Sequence, residues 1–177
     1  MFTYLNFLYI LLLAFVVAEF ELLFLVLPIF LAGGGAPYVP TLKRDIKKII
    51  SISNAKPRDK VADIGSGDGR ILVAFARKGI EAHGYEVSPA LVAWSKLKIF
   101  TLGLSNKAFV HQSSFWEKDF SEFNVVVVFG MTKIMGELDK KLNAELKPGS
   151  VVVSNIFKLP GREASASDGN IRRYDII

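Results

Sequence analysis

The chain has 177 residues, a formal net charge of +5 and a hydrophobic share of 51%. This length suffices for one domain with a proper core and leaves little room for a second. The absence of cysteine excludes a thiolate site, and with only two histidines we expect no metal.

Residues 1–32 form an apolar segment. They contain no Lys or Arg, and Glu19 and Glu21 are their only charged residues. The segment exceeds the about 20 residues that a helix needs to cross a bilayer. It lacks the positive charge that precedes the apolar run of a signal peptide. We expect a single transmembrane helix, with a hairpin of two apolar stretches around the glutamates as the alternative.

A basic cluster follows the apolar segment. Its members are Lys43, Arg44, Lys47 and Lys48. By the positive-inside rule, this cluster places the rest of the chain on the cytoplasmic side of a membrane. The same side chains are suited to anionic headgroups of the lipid bilayer, although an ordinary solvated helix face explains them equally well.

A break of glycine and proline, GGGAPYVPT at 33–41, separates the apolar segment from the remainder. Thr41 is predicted to cap a helix over 42–53, in which Ile46 and Ile49 lie on one apolar face. We therefore divide the chain into an anchor over 1–32, a linker with an amphipathic helix over 33–56, and a folded domain over 57–177.

Strand and helix patterns alternate after residue 57. Strands are predicted over 60–64, 81–86, 108–112, 124–129, 150–156 and 171–176, and helices over 69–78, 89–102 and 132–146. This alternation predicts an α/β fold with a doubly wound, mostly parallel, Rossmann-like sheet. The run NVVVVFG at 124–130 is apolar at every strand position, as a central strand requires. Residues 161–170 are predicted to be a mobile loop.

The most informative motif is VADIGSGDGR at 61–70, a strand that runs into a glycine loop. Its glycines can take positive φ and leave room for a ligand against bare backbone, and the Asp63 carboxylate is suited to a cationic cofactor. A dinucleotide motif needs glycine at the sixth position, where this chain has Arg70. The loop therefore favours S-adenosylmethionine over NAD. The predicted cofactor-binding residues here are Asp63, Gly65, Ser66, Gly67, Asp68 and Gly69.

Other strand ends supply further candidates, because ligands of such sheets lie at the carboxyl ends of the strands. Glu86 follows Asp63 by 23 residues, close to the spacing of an acid that binds ribose hydroxyls. In QSSFW at 112–116, Ser114 can contact an adenine by a polar bond, and Phe115 or Trp116 can pack against its ring. A role of the two aromatic residues in the hydrophobic core is an equally good interpretation.

The run FGMTK at 129–133 ends the central strand beside the expected methyl position, which makes Phe129, Gly130 and Met131 substrate-side candidates. It lacks the Asn or Asp followed by Pro-Pro-aromatic that is typical of enzymes methylating DNA adenine or glutamine. Transfer of a methyl group needs alignment, desolvation and an unprotonated acceptor, and no nucleophile of the protein. This agrees with the lack of any Ser-His-Asp or Cys-His arrangement. The catalytic base stays unknown.

Several motifs in order resemble those of class I S-adenosylmethionine-dependent methyltransferases over 57–177. More narrowly, the chain is similar to membrane-anchored protein-lysine methyltransferases of the FAM173 type. The resemblance rests on the apolar N-terminus, PYVPT at 37–41, DIGSGDGRI at 63–71, GYEVSPALVAWS at 84–95, VVVVFGMTKIM at 125–135, LDKKLNAELKPGS at 138–150 and YD at 174–175.

This resemblance implies that Asp63, Gly65, Gly67 and Glu86 bind S-adenosylmethionine. It also implies that PYVPT closes the site, which adds Tyr38, Pro40 and Thr41 to the substrate-side candidates, and that the acceptor is a lysine of a membrane protein. Two departures stand out. Ser114-Phe115-Trp116 replaces the family's Asp-Leu-Trp, which weakens the adenine contact. The N-terminus lacks the Arg and Ser of a transit peptide, which favours a prokaryotic inner membrane.

The sequence therefore predicts a membrane-anchored methyltransferase acting on lysines of membrane proteins. A methyltransferase of lipids, quinones or other small molecules in the bilayer is one alternative, and an inactive S-adenosylmethionine-binding module is another. No nucleic-acid partner is expected, because the basic residues cluster near the anchor and form no stripe with aromatic residues.

Overall fold

The computed structural model of the chain describes residues 2–31, 38–130 and 132–177. The chain divides into two compact units, Met1–Gly34 and Gly35–Ile177. The first contains helix α1 (Phe2–Leu31), on which the described apolar side chains between Phe7 and Val17 are exposed. In the part of the chain that the structure describes, no helix combines the length and the apolar character that a membrane crossing requires. The predicted transmembrane helix is therefore not supported by the structure.

The second unit is a seven-stranded mixed sheet flanked by helices. The strands are β1 (Lys60–Ile64), β2 (Glu81–Glu86), β3 (Ala108–Gln112), β4 (Val125–Val128), β5 (Val151–Asn155), β6 (Ala166–Asp168) and β7 (Ile171–Asp175). The helices are α2 (Lys43–Ser53), α3 (Arg70–Ala76), α4 (Pro89–Thr101) and α5 (Thr132–Glu145), with a 3-10 turn at Phe115–Glu117.

The strand order is β3-β2-β1-β4-β5-β7-β6. The first five strands pair in parallel, and the pairs β5–β7 and β7–β6 are antiparallel. The α/β class and the mostly parallel sheet predicted from the sequence are confirmed. The order reverses between β1 and β4, and at such a switch point the loops after neighbouring strands diverge and leave a crevice.

Two apolar clusters cover the faces of the sheet. Helices α2, α3 and α4 cover one face, where Ile49, Leu72 and Phe75 are fully buried. Helix α5 covers the other face, together with Phe120 and Phe123. All four valines of β4 are buried, which explains why this run is apolar at every position. Each large side chain buried in this way contributes roughly 1.5–3 kcal/mol.

The predicted strands and helices of the second unit agree with the structure to within two residues at each end. Two local predictions are wrong. Leu42, not Thr41, is the N-cap of α2 and makes no side-chain capping bond, and Thr41 is instead buried. The predicted loop at 161–170 contains the edge strand β6, whose three residues are exposed and pair with β7 through their backbone. A polar strand of this kind lacks the alternation of apolar and polar residues from which strands are predicted.

Candidate functional site

The loop between β1 and α3 requires its glycines. Gly65, Gly67 and Gly69 have φ values of 74°, 53° and 72°, which other residues rarely adopt. The N–H of Gly65 donates to the carbonyl of Tyr85 at 2.9 Å. The loop is thereby fixed to the carboxyl end of β2.

The three glycines differ in what surrounds them. A Cβ atom at Gly67 would lie 2.7 Å from Cε2 of Tyr38, and one at Gly69 would overlap Oγ of Ser95. Apart from the two chain neighbours of Gly65, no described residue lies within 4 Å of the position that a Cβ atom would take there. Gly67 and Gly69 therefore allow close packing within the protein, whereas Gly65 presents bare backbone to open space where a ligand can approach.

Glu86 connects this loop to the turn after β2. The residue is 8% exposed. Its carboxylate Oε2 accepts a hydrogen bond from the N–H of Gly67 at 2.9 Å, and Oε1 accepts one from the N–H of Ser88 at 2.8 Å. A carboxylate has about four acceptor positions, so each oxygen retains capacity for a ligand hydroxyl. Glu86 and the glycine loop thus lie together at the carboxyl ends of β1 and β2.

Asp63 lies on β1 opposite Gly84 of β2 and Val127 of β4, and is 3% exposed. The pKa of this carboxyl group is raised from 3.8 to about 8. Burial is the main cause, and the nearby carboxylates of Glu86 and Asp68 contribute to the same rise. A positive charge brought nearby would favour the ionised form. Asp63 therefore suits a site that receives a cation.

Asp68 is the centre of a network that includes Arg70 and Lys98. Arg70 Nε donates to Asp68 Oδ1 at 2.8 Å and Arg70 Nη2 to Asp68 Oδ2 at 3.0 Å, while Lys98 Nζ also donates to Oδ2. Although burial acts to raise the pKa of Asp68, these bonds lower it to about 2. Sequence reasoning missed Lys98, which lies 30 residues beyond Asp68, and assigned no contact to Arg70.

The segment 38–41 lies against the glycine loop. Tyr38 places its ring on Gly67, and Arg70 donates to the Tyr38 hydroxyl at 3.1 Å and to the Thr41 carbonyl at 2.9 Å. Tyr38 and Pro40 are exposed, whereas Thr41 is buried. The structure thus brings these substrate-side candidates to the predicted cofactor loop.

The candidates after β4 lie at the same edge of the sheet. Val128 pairs with Ile64 of β1, so Phe129 leaves the sheet beside Gly65. Phe129 and Gly130 are half-buried, and the Phe129 ring lies 6.1 Å from that of Phe157 after β5. Met131 lies outside the described residues.

The QSSFW segment follows β3, next to Glu86. Ser114 Oγ accepts a bond from the N–H of Trp116 at 3.3 Å and caps the 3-10 turn, while Phe115 and Trp116 are half-buried against the α5-side core. The adenine contacts of these residues stay predictions. The neighbouring Ser113, which sequence reasoning did not single out, has a buried hydroxyl with no partner among the described residues, and its N–H donates to the Glu86 carbonyl at 3.1 Å.

Known protein-lysine methyltransferases are similar to this chain in sequence. The family model described as the ANTKMT methyltransferase domain matches residues 63–166. A human lysine N-methyltransferase named for the C subunit of ATP synthase is 37% identical over 124 residues, which cover 70% of this chain and 53% of the human protein. A protein-lysine N-methyltransferase of Saccharolobus islandicus (strain REY15A) is 33% identical over 141 residues, covering 76% of this chain and 88% of that protein.

A solved structure shares the fold. The RNA methyltransferase from Salinibacter ruber in complex with S-adenosyl-L-homocysteine has a TM-score of 0.74 and 27% identity, and the match covers 78% of this chain and 94% of that one. The chain spans about half the length of the human relative. The matched family region includes the glycine loop, Glu86 and the end of β4, and the chain belongs to the ANTKMT methyltransferase domain family.

Proposed function

We propose that the chain is an S-adenosylmethionine-dependent methyltransferase that methylates lysine side chains of proteins. The observation that carries the proposal is the edge formed by Gly65 and Glu86: exposed loop backbone stands beside a buried carboxylate that is already fixed to Gly67. The names of the human and Saccharolobus relatives supply the acceptor class.

The residues at this edge fit the cofactor. Glu86 has acceptor capacity left for ribose hydroxyls, Gly65 offers open backbone, and Asp63 is a carboxylate whose raised pKa falls when a cation arrives. When bound, S-adenosylmethionine supplies a methyl group activated by a sulfonium. The protein's task is then to align the acceptor, exclude water and keep the acceptor amine neutral.

The apolar residues after β4 and β5 suit the last of these tasks. Phe129 and Phe157 are half-buried with their rings 6.1 Å apart. An apolar surrounding disfavours the charged form of a lysine amine and lowers its pKa, which frees the lone pair that forms the new N–C bond. We therefore assign the acceptor lysine to the side of the site that Phe129 and Phe157 border.

Transfer of a labelled methyl group tests this function. Purified full-length chain is incubated with S-adenosylmethionine labelled in the methyl group and with a cell extract that includes membranes. We expect label in protease-sensitive material, hydrolysis of which yields methylated lysine. Glu86→Gln should abolish the transfer, whereas Glu137→Gln, which changes an exposed glutamate of α5, should retain it.

Label in any other fraction would contradict the proposal and would indicate a different acceptor. Label in the solvent-extractable fraction would indicate a lipid or another small molecule as acceptor. Label in nuclease-sensitive material would indicate RNA, the acceptor class named for the Salinibacter neighbour. Cofactor binding without any transfer would indicate an inactive module.

The proposal includes attachment to a membrane, with the second unit on the cytoplasmic side of a prokaryotic inner membrane and a membrane protein as substrate. Its support is the sequence of residues 1–32, which has no Lys or Arg, together with the exposed apolar side chains between Phe7 and Val17 and the basic cluster at 43–48. Alkaline extraction of cell membranes tests it. Retention in the pellet, with a C-terminal tag cleaved by protease only after the inner membrane is opened, is the expected result.

A further inference from the structure

Arg70 occupies the loop position at which a dinucleotide motif would have glycine, and its guanidinium links the glycine loop to the segment 38–41. We propose that Arg70 is a positioning residue that holds the segment 38–41 over the glycine loop and so shapes the acceptor side of the site. The identity of that side rests on the proposed function. The attachment itself rests on contacts in the protein alone.

The guanidinium uses its donors in two directions. Nε and Nη2 bind the two oxygens of Asp68 at 2.8 and 3.0 Å, which is the paired geometry that a planar fork allows. Nη1 donates to the Thr41 carbonyl at 2.9 Å, and Nη2 donates also to the Tyr38 hydroxyl at 3.1 Å. Lysine, with a single nitrogen, cannot make this set of contacts at once.

Asp68, to which the Arg70 guanidinium is bonded, is itself held in place by a second cation. Lys98 of α4 donates to the Asp68 carboxylate and, at 2.8 Å, to the Asp68 carbonyl. The Asp68 side chain is 11% exposed, so its bonds to Arg70 and Lys98 are shielded from water and stronger than surface ion pairs. Arg70 is therefore held in one orientation before it contacts the segment 38–41.

The segment itself has little other attachment through burial. Tyr38 and Val39 are 42% and 60% exposed, and only Thr41 is buried. The Tyr38 ring nevertheless lies against Gly67, the residue whose N–H binds Glu86. A loss of the Arg70 contacts therefore releases a side chain that covers the glycine to which Glu86 is bonded.

A spin label on the segment tests the attachment. The chain has no cysteine, so Val39→Cys creates a unique site for a nitroxide on an exposed residue. In the full-length chain without cofactor, we expect restricted label motion in the parent and clearly faster motion in Arg70→Gln. Arg77→Gln, which removes an exposed arginine just after α3, should leave the motion unchanged. Arg70→Lys, which retains the charge next to Asp68, should give intermediate motion and serves if the glutamine variant fails to fold.

Equal label motion in the parent and both Arg70 variants would overturn the proposal. Titration with S-adenosylmethionine adds a second measurement, in which Arg70→Gln should bind about tenfold more weakly, because binding must then also order the released segment 38–41. A faster label with unchanged cofactor affinity and unchanged methyl transfer would overturn the claim that the segment shapes the site. A parent that binds no S-adenosylmethionine would refute the proposed function, while the label motion would still decide the role of Arg70.

Discussion

Glu86 Oε2 accepts the backbone N–H of Gly67 at 2.9 Å, while the other oxygen of the same carboxylate accepts the N–H of Ser88 at 2.8 Å. One buried side chain thus joins the loop after β1 to the turn after β2. The edge at which we place the cofactor is therefore organised by the protein itself. A ligand that uses this edge does not have to order it.

Glu86→Gln should damage both the fold and the site. An amide has one acceptor oxygen, so either Gly67 or Ser88 would face an NH2 group and lose its bond. We expect a loss of about 1–3 kcal/mol in the free energy of unfolding. Urea denaturation measures it, with Glu137→Gln as the exposed control. Equal midpoints for Glu86→Gln and the parent would show that these bonds do not stabilise the loop.

Alanine substitutions at Gly69 and Gly65 should have different effects, because Gly69 allows packing within the protein and Gly65 allows a ligand to approach. Both glycines have positive φ, which costs another residue about 1–2 kcal/mol. Gly69→Ala adds a clash with the Ser95 hydroxyl, so it should destabilise the protein more, and Ser95→Gly should restore part of that loss. Gly65→Ala meets open space, so it should weaken S-adenosylmethionine binding more than it lowers stability. Thermal unfolding and cofactor titration of the variants measure the two effects, and the same ranking in both would contradict this division.

The features that the sequence predicts correctly are those encoded by residues close together along the chain. The glycine loop is a continuous motif, and Glu86 ends the next predicted strand, 23 residues after Asp63, so both can be found without a structure. The bonds from Arg70 to Thr41 and from Lys98 to Asp68 join residues 29 and 30 positions apart, and no periodicity encodes such pairs. Strand β6 was missed because its polar residues pair only through the backbone. The Thr41 cap was predicted from residue type, although burial of Thr41 and the Arg70 bond to its carbonyl decide its place.

The raised pKa of Asp63 predicts a dependence of stability on pH. The folded state keeps this proton up to about pH 8, whereas the unfolded chain loses it near the ordinary value of 3.8. The contribution is therefore fully present below about pH 4 and is lost as the pH rises through 8, by up to about 1.4 kcal/mol per pH unit. Asp63→Asn stays neutral, so its stability relative to the parent should increase between pH 5 and pH 8. Urea denaturation across this range measures the difference, and parallel curves would refute it.

The same carboxyl group predicts proton release on cofactor binding. A sulfonium close to Asp63 favours the ionised form, so binding at pH 7 should release a proton and the affinity should increase as the pH rises toward 8. Calorimetric titration in buffers of different ionisation enthalpy counts the protons. Asp63→Asn should release none through this group, and equal release in the parent and the variant would place the cation elsewhere.

Ile156 predicts a stabilising substitution at the end of β5. Its φ of 68° is strained for a β-branched residue, and its side chain is 45% exposed, so packing does not explain the choice of isoleucine. The conformation is held because the Ile156 N–H donates to the Asn170 carbonyl at 2.9 Å and its own carbonyl accepts from Arg172 at 2.8 Å. Asparagine tolerates this conformation, so Ile156→Asn should raise the free energy of unfolding by about 1 kcal/mol. Ile156→Ala, which keeps an unfavourable φ, should gain less. Ile156 directly precedes Phe157, so a slower methyl transfer in the more stable asparagine variant would show that the strained backbone serves the acceptor side. An unchanged or lower free energy of unfolding would show that the conformation of Ile156 is not strained.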